Sequence, residues 1–243
     1  MYLYYNIHLA CYCLERKISL AQQTLHLTCP TCLASENQTF PTIIDGATQP
    51  DLSFSIQQGD FFDHQCAHCG GTHPVPFPFL YIHSSNKQGV YLYPHSTDSN
   101  EQRQAIFNQI NDQFQNEYPD YQLRIVSSIE SLKETLLIWQ DKKSDTVVEL
   151  VKILAQGAAE LTNQEAKVYY YHHRLTPHLL YIKKEQQLYS PYPTHLETFV
   201  EQKYKPYLTS QPGTFLIINS TWAWHVLLHD SDLNGEYDLD DIG

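Results

Sequence analysis

Apolar and polar positions alternate with a period of two through much of the first hundred residues. Leu25-His26-Leu27-Thr28 predicts a strand, and Leu52-Ser-Phe54-Ser-Ile56 alternates in the same way. Val75 to Ile82 continues the strand-like pattern, although Pro74, Pro76 and Pro78 mark it as an edge or bulged strand. Phe79-Leu-Tyr-Ile-His83 and Val90-Tyr-Leu-Tyr93 read as a hairpin joined by a polar turn, Ser84 to Gly89.

The period then changes to that of a helix. Ile106, Ile110 and Phe114 form a one-sided stripe behind a capping-box pair, Ser99 and Gln102, and the stripe stops before Pro119. Tyr121 to Val126 is a strand candidate. Ser127 with Glu130 predicts a cap for a helix carrying Ile129, Leu132, Leu136 and Trp139, and Asp145 opens another with Val147, Val151, Leu154, Ala158 and Leu161. Such stripes are core-facing surfaces rather than cofactor sites.

Beyond about residue 165 the expected order is strand, strand, helix, strand. Val168 to Leu175 and Leu179 to Lys183 flank a Thr-Pro-His turn, and Thr194 with Glu197 predicts the helix cap. Thr214 to Leu228 reads as a long strand with Trp222, Trp224, Val226 and Leu228 on one face. The expected fold class is α+β: a β-rich N-terminal part that two cysteine pairs, Cys29/Cys32 and Cys66/Cys69, make zinc-ribbon-like, a helical middle and a small α+β C-terminal half. The expected divisions are an N-terminal extension, 1–23; a ribbon plus helical domain, 24–161; a small α+β domain, 165–229; and an acidic tail, 230–243.

The chemistry sits in two Cys-x-x-Cys pairs, Cys29-Pro-Thr-Cys32 and Cys66-Ala-His-Cys69. Two residues between cysteines let one tight turn aim both sulfurs at a single point, and four thiolates from two such knuckles suit a tetrahedral structural zinc. Pro30 fixes φ in the first turn, and Gly70-Gly71 after the second can take positive φ. The spacer, residues 33–65, is 33 residues long. A compact ribbon has about 15–20, so a long insert with structure of its own is expected. The alternatives are a redox dithiol and two structural disulfides. A redox dithiol requires a helix immediately after the motif, and none is evident before Pro41. Disulfides require an oxidising compartment, which nothing else in the chain suggests.

Charge narrows the partners. The chain of 243 residues carries 27 acids against 15 bases, a net charge of −12, and contains no Lys or Arg between Lys17 and Lys87. That interval holds both knuckles, together with Glu36, Asp45, Asp51, Asp60 and Asp63, which argues against the ribbon gripping nucleic acid or an anionic membrane. Protein partners are expected instead. No apolar run reaches the roughly 18 residues of a membrane-spanning helix. Met1 to Leu14 is apolar but lacks the positive start of a signal peptide, so a cytoplasmic protein with reduced thiols is expected, and Cys11 and Cys13 read as incidental thiols.

These motifs, His26-Leu-Thr-Cys-Pro-Thr-Cys32 and Cys66-Ala-His-Cys-Gly70, followed by Phe79 to His83 and Tyr121 to Ser127, resemble the CpXC family, named for its Cys-Pro-x-Cys knuckle. The order of elements is similar as far as about Leu161, and the Trp222-Ala-Trp224 region looks like the C-terminal part of longer members. The resemblance implies a bacterial or archaeal origin and brings no reaction or substrate. Residues 1 to about 23 have no counterpart in it, as a start site placed too far upstream would produce.

Two further patterns carry less chemistry. Asp230 to Asp241 fits a calcium-loop template with Gly235 at its turn, but it has Asp where the last ligand is usually Glu and lacks an exiting helix; a frayed acidic terminus is the plainer reading. Tyr169 to His173 places adjacent histidines on opposite faces of a strand, so they do not address one site. There is no Gly-x-Ser-x-Gly, His-Glu-x-x-His or phosphate-binding glycine loop, and a zinc with four sulfurs has no place for water. The expectation is therefore a non-enzymatic binding or adaptor module with one zinc on Cys29, Cys32, Cys66 and Cys69. The alternatives are an enzyme with an unmarked site between the two halves, and a zinc or redox sensor.

Overall fold

The computed structural model describes residues 22–94, 100–114, 116–159, 166–209 and 211–228. The expectations for residues 1–21, the Ser99 cap, Leu161 and the 230–241 loop lie outside the described residues. The elements run β1 (Gln22–Thr28), β2 (Ser35–Pro41), β3 (Ile43–Asp45), α1 (Pro50–Gln58), β4 (Asp63–Gln65), β5 (Thr72–Pro74), β6 (Phe79–His83), β7 (Gln88–Leu92) and α2 (Asn100–Phe114). After these come β8 (Gln122–Val126), α3 (Ile129–Gln140), α4 (Asp145–Ala158), β9 (Lys167–His173), β10 (Thr176–Lys183), β11 (Gln186–Pro191), α5 (Thr194–Lys203), β12 (Phe215–Leu216) and α6 (Ser220–Leu227). The fold is mixed α and β, with six helices and four sheets among the described residues.

The central sheet has the order β12-β8-β7-β6-β3. β6 and β7 form the expected hairpin, with Lys87 rather than a glycine taking positive φ at its turn. β7 runs parallel to β8, and α2 makes the crossover between them. Ile110 and Phe114 of α2 pack with Leu80, Leu123, Ile125 and Phe215 in one core cluster. A larger cluster includes Phe79, Tyr81, Val90 and Leu92 of the sheet, Ile56 of α1, and Leu132, Leu136 and Trp139 of α3. Alternation along β6 therefore divides its side chains between two cores: Leu80 and Ile82 in one, Phe79 and Tyr81 in the other. α4 is buried around most of its circumference, from Asp145 to Ile153. A three-stranded antiparallel sheet, β11-β10-β9, contributes Val168, Tyr170, Leu179 and Tyr181 to the larger cluster, and α6 adds Trp222, Ala223 and Val226.

Several sequence expectations are corrected. Leu52 to Ile56 is helical, not a strand. Pro50 starts α1 where a missing N–H costs nothing, Gly59 ends it at φ 101°, and Ile56 points inward while Phe54 remains 63% exposed. Trp222 to Leu227 belongs to α6, since Asn219 accepts a hydrogen bond from the Trp222 N–H and caps a helix; only Phe215–Leu216 is strand. The α3 cap is Ser128, which accepts from the Ser131 N–H, one residue beyond Ser127. Thr194 lies inside α5 behind Pro193 and makes no side-chain cap. The β9–β10 turn is Arg174-Leu175, with Thr176 to His178 already in the strand, and a third strand, β11, pairs with β10 before the helix.

Candidate metal centre

Each Cys-x-x-Cys pair is the tip of a hairpin. β1 and β2 pair antiparallel from Gln22↔Pro41 to Thr28↔Ser35, leaving residues 29–34 as the turn. β4 and β5 pair from Asp63↔Pro74 to Gln65↔Thr72, leaving residues 66–71. The two turns share one hydrogen-bond pattern. The Cys29 N–H donates to Ala34 O at 2.9 Å and the Leu33 N–H to Cys29 O at 2.9 Å; the Cys66 N–H donates to Gly71 O at 3.0 Å and the Gly70 N–H to Cys66 O at 2.9 Å. Leu33 and Gly70 occupy the same place in this pattern, with φ of 61° and 71°.

The tips face one another. The Glu36 carboxylate of β2 meets His64 of β4 at 2.9 Å, and Thr31 Oγ1 lies 3.2 Å from His73 Nε2 of β5. Beneath them an aromatic group joins the hairpins to the central sheet: the Phe77 ring stacks on Phe40 at 4.3 Å and lies 5.4 Å from Phe79, with Phe61 and Phe62 alongside. The 33–65 spacer is therefore a structured insert carrying β2, β3, α1 and β4. Through β3, which runs parallel to β6, it anchors the site to the central sheet.

All four Sγ atoms of Cys29, Cys32, Cys66 and Cys69 lie within 4.8 Å of one another. The short contacts run between knuckles, Cys29 to Cys69 at 3.6 Å and Cys32 to Cys66 at 3.8 Å. The cysteines are free, and these separations far exceed the roughly 2.05 Å of a disulfide. Cys29 and Cys66 are buried, while Cys32 and Cys69 are exposed. The first knuckle is followed by strand β2 and the second by β5, so neither has the helix that a thioredoxin-like dithiol uses.

As bare thiols Cys29, Cys32 and Cys69 are shifted in different directions. Backbone N–H donation at Cys32 leads the effects that bring the Cys29 thiol down to about 6. At Cys32 the Ala34 N–H pulls the opposite way from desolvation and three sulfur neighbours, and the neighbours win, pushing the thiol up to about 12. Cys69 is also raised, in spite of the Gly71 N–H, by the Cys29 sulfur and by desolvation. One thiolate is thus stabilised and further ones are opposed, as expected for converging like charges that lack a cation. A group of four cysteines in this arrangement can hold a metal ion.

The family model described as "CpXC protein" matches residues 27–152, just over half of the chain. The chain belongs to the CpXC family. The match begins in β1 and ends in α4, so it spans both knuckles and most of the central sheet. No curated protein and no solved structure matches the chain. Among the described residues, no helix is long and apolar enough to cross a membrane.

Proposed function

We propose that this CpXC protein is a cytoplasmic binding or adaptor module whose two hairpins are joined by one structural zinc. Cys29, Cys32, Cys66 and Cys69 are its ligands. The observation that carries the proposal is the sulfur geometry. Four sulfurs at about 2.3 Å from a tetrahedral zinc lie about 3.8 Å apart, and the two inter-knuckle contacts are 3.6 and 3.8 Å. The donor set fits as well, since four thiolates brought to one point need a divalent cation to offset their charge.

A shell of four sulfurs is closed, so the ion supplies folding energy rather than a bound water. The need for it is local. β4 and β5 are three-residue strands, and a two-stranded hairpin of that size is marginal by itself. The cavity beside the sulfurs, lined by Leu27, Glu36, His64 and His73, measures about 20 Å³, room for a water and not for a substrate. Both features favour a binding module over an enzyme at this site.

Native mass spectrometry of the protein purified from cytosol without added metal tests the proposal. One zinc per chain, with a lower melting temperature after chelation, is the expected result. A metal-free chain lighter by two or four hydrogens would put the redox-sensor reading first. Chelation that left the melting temperature unchanged would remove the structural role.

A further inference from the structure

Each short sulfur contact at the two knuckles joins an exposed atom to a buried one on the other hairpin. Exposed Cys69 lies 3.6 Å from buried Cys29, and exposed Cys32 lies 3.8 Å from buried Cys66. Thiol oxidation follows exposure, and a sulfenic acid formed at an exposed sulfur condenses with a thiol beside it. Cys32 and Cys69 are thus open to an oxidant, and each has a buried resolving partner across the site.

Contacts that involve no sulfur hold the tips face to face. Glu36 meets His64 at 2.9 Å, Thr31 reaches His73 at 3.2 Å, and the Phe40 ring stacks on Phe77 at 4.3 Å. Against the roughly 2.05 Å of a disulfide, each cross-hairpin pair has less than about 2 Å to close. A bond inside one knuckle would instead close a four-residue ring, Cys29 to Cys32 or Cys66 to Cys69. It would do so in a turn already fixed by two backbone hydrogen bonds, and it would leave the hairpins unjoined.

We infer that oxidation links this site across the hairpins, forming Cys29–Cys69 and Cys32–Cys66 disulfides that replace the metal as their joint. This rests on the reading in which the reduced site holds one zinc, and adds what the same sulfurs do when hydrogen peroxide reaches them. The exposed thiolate attacks one peroxide oxygen; the O–O bond breaks, hydroxide leaves and the sulfur becomes a sulfenic acid. The buried partner thiolate then attacks that sulfur; the S–S bond forms, the S–O bond breaks and a second hydroxide leaves. Each disulfide consumes one peroxide, and two disulfides leave no thiolate to hold a divalent cation.

The two links span 40 and 34 positions of the chain, so each restricts the unfolded state far more than a four-residue ring does. The three-residue strands β4 and β5 need such a joint. The oxidised protein therefore keeps its hairpins together without metal.

Peptide mapping without reductant, after peroxide treatment of the full-length zinc-loaded protein and blocking of the remaining thiols, tests this. Cys29–Cys69 and Cys32–Cys66 links should exceed Cys29–Cys32 and Cys66–Cys69 links several-fold, within single chains, and zinc should be released in step with them. In chelator, the oxidised protein should melt several degrees above the reduced one. Cys69→Ser should lose the Cys29 link and keep Cys32–Cys66. Metal content measured before the oxidant is added tests the zinc reading separately: a chain without metal at that stage would fail that reading, and the same map would still test the pairing. Links mainly within the knuckles, links to Cys11 or Cys13, sulfinic or sulfonic acids in place of disulfides, or an oxidised chain that melts no higher than the reduced one in chelator would each overturn the inference.

Discussion

Arg124 and Asp145 form a buried ion pair that ties strand β8 to the first turn of α4. Their side chains are 4% and 6% exposed. The Arg124 Nε and Nη2 donate to the two oxygens of Asp145, and Nη1 donates to Leu123 O at 2.9 Å. Asp145 also accepts from the Thr146 N–H at 3.0 Å and from Gln122 Nε2 at 3.2 Å, and its charge lies at the positive end of the helix. The same α3–α4 connection makes two more ties. Asp141 accepts from the Tyr170 hydroxyl and pairs with His172 of β9, and Lys143 donates to both Glu197 oxygens of α5. Residues 141–145 thus fasten α3 and α4 to β8, β9 and α5.

Because both charges of the Arg124–Asp145 pair are buried, removing one leaves the other without compensation. Arg124→Met and Asp145→Asn should each lower the unfolding free energy by about 3–5 kcal/mol. Arg124→Met combined with Asp145→Leu should cost clearly less than the sum of the singles. Urea unfolding with an unchanged slope measures this, and single-variant losses below about 1 kcal/mol would show that the pair contributes no more than a surface contact.

Lys152 makes a second buried arrangement, 2.9 Å from Glu134 and 2.7 Å from Glu149. Burial opposes its charge, but the two carboxylates outweigh burial and hold it protonated. Burial pushes the Glu149 carboxyl up even with Lys152 present. In Lys152→Met the buried Glu149 carboxyl loses the cation that offsets its burial, which raises its folded-state value further above the unfolded one. A group raised in this way stabilises while protonated and loses that contribution as the pH rises through its folded value. The deficit of the variant should therefore widen from pH 5 to pH 8, reaching about 3 kcal/mol or more. Stability curves for the two proteins that run parallel over this range would refute it.

Where the sequence reading succeeded, the deciding interactions are local; where it failed, two periods coincide. Leu52 and Ile56, like Trp222 and Val226, are four residues apart, a spacing shared by one face of a strand and one face of a helix. The residue midway differs: Phe54 and Trp224 are among the exposed hydrophobics, as a helix requires. The decisive signals were end signals, Pro50 and Gly59 for α1 and Asn219 for α6. The Cys-x-x-Cys turns were legible because each is a local turn. That their close sulfur contacts run between knuckles depends on Glu36 meeting His64 and on the stacking of Phe40 on Phe77, contacts 28 and 37 residues apart in the chain. Pairing of β12 with β8 and of β3 with β6 has the same long-range character.

Asp45 gives a pH dependence of the opposite sign. Burial would raise its carboxyl, but hydrogen bonds from Ser84 and the Ala47 N–H outweigh that and hold it below the usual carboxylate value. Its Oδ1 accepts from Ala47 N at 3.0 Å and Ser84 N at 3.1 Å, linking the end of β3 to the turn after β6. A depressed carboxyl stabilises above its unfolded value of about 3.9 and loses that contribution as the pH falls through the folded value. Asp45→Asn keeps an oxygen at the same place without the charge. Its stability deficit should be constant from pH 7 to pH 5 and disappear toward pH 2; a deficit that persists unchanged at pH 2 would assign the effect to shape rather than charge.

The matched knuckles allow a reciprocal test. Leu33 and Gly70 hold the same turn position, at φ of 61° and 71°. Left-handed backbone costs an L-residue about 1–2 kcal/mol, and glycine returns about 0.5–1 kcal/mol of that through its freer unfolded chain. Leu33 is 71% exposed, so little packing offsets the cost. A Cβ at Gly70 would meet nothing within 4 Å, so only the backbone opposes a side chain there. Leu33→Gly should therefore stabilise the protein by up to about 1 kcal/mol, and Gly70→Ala should destabilise it by about the same amount. Metal content per chain should be equal in both variants, because neither change moves a sulfur. Thermal melts with metal analysis measure both quantities. If Leu33→Gly instead lowers stability by more than about 1 kcal/mol, the Leu33 side chain must contribute packing that outweighs its backbone strain.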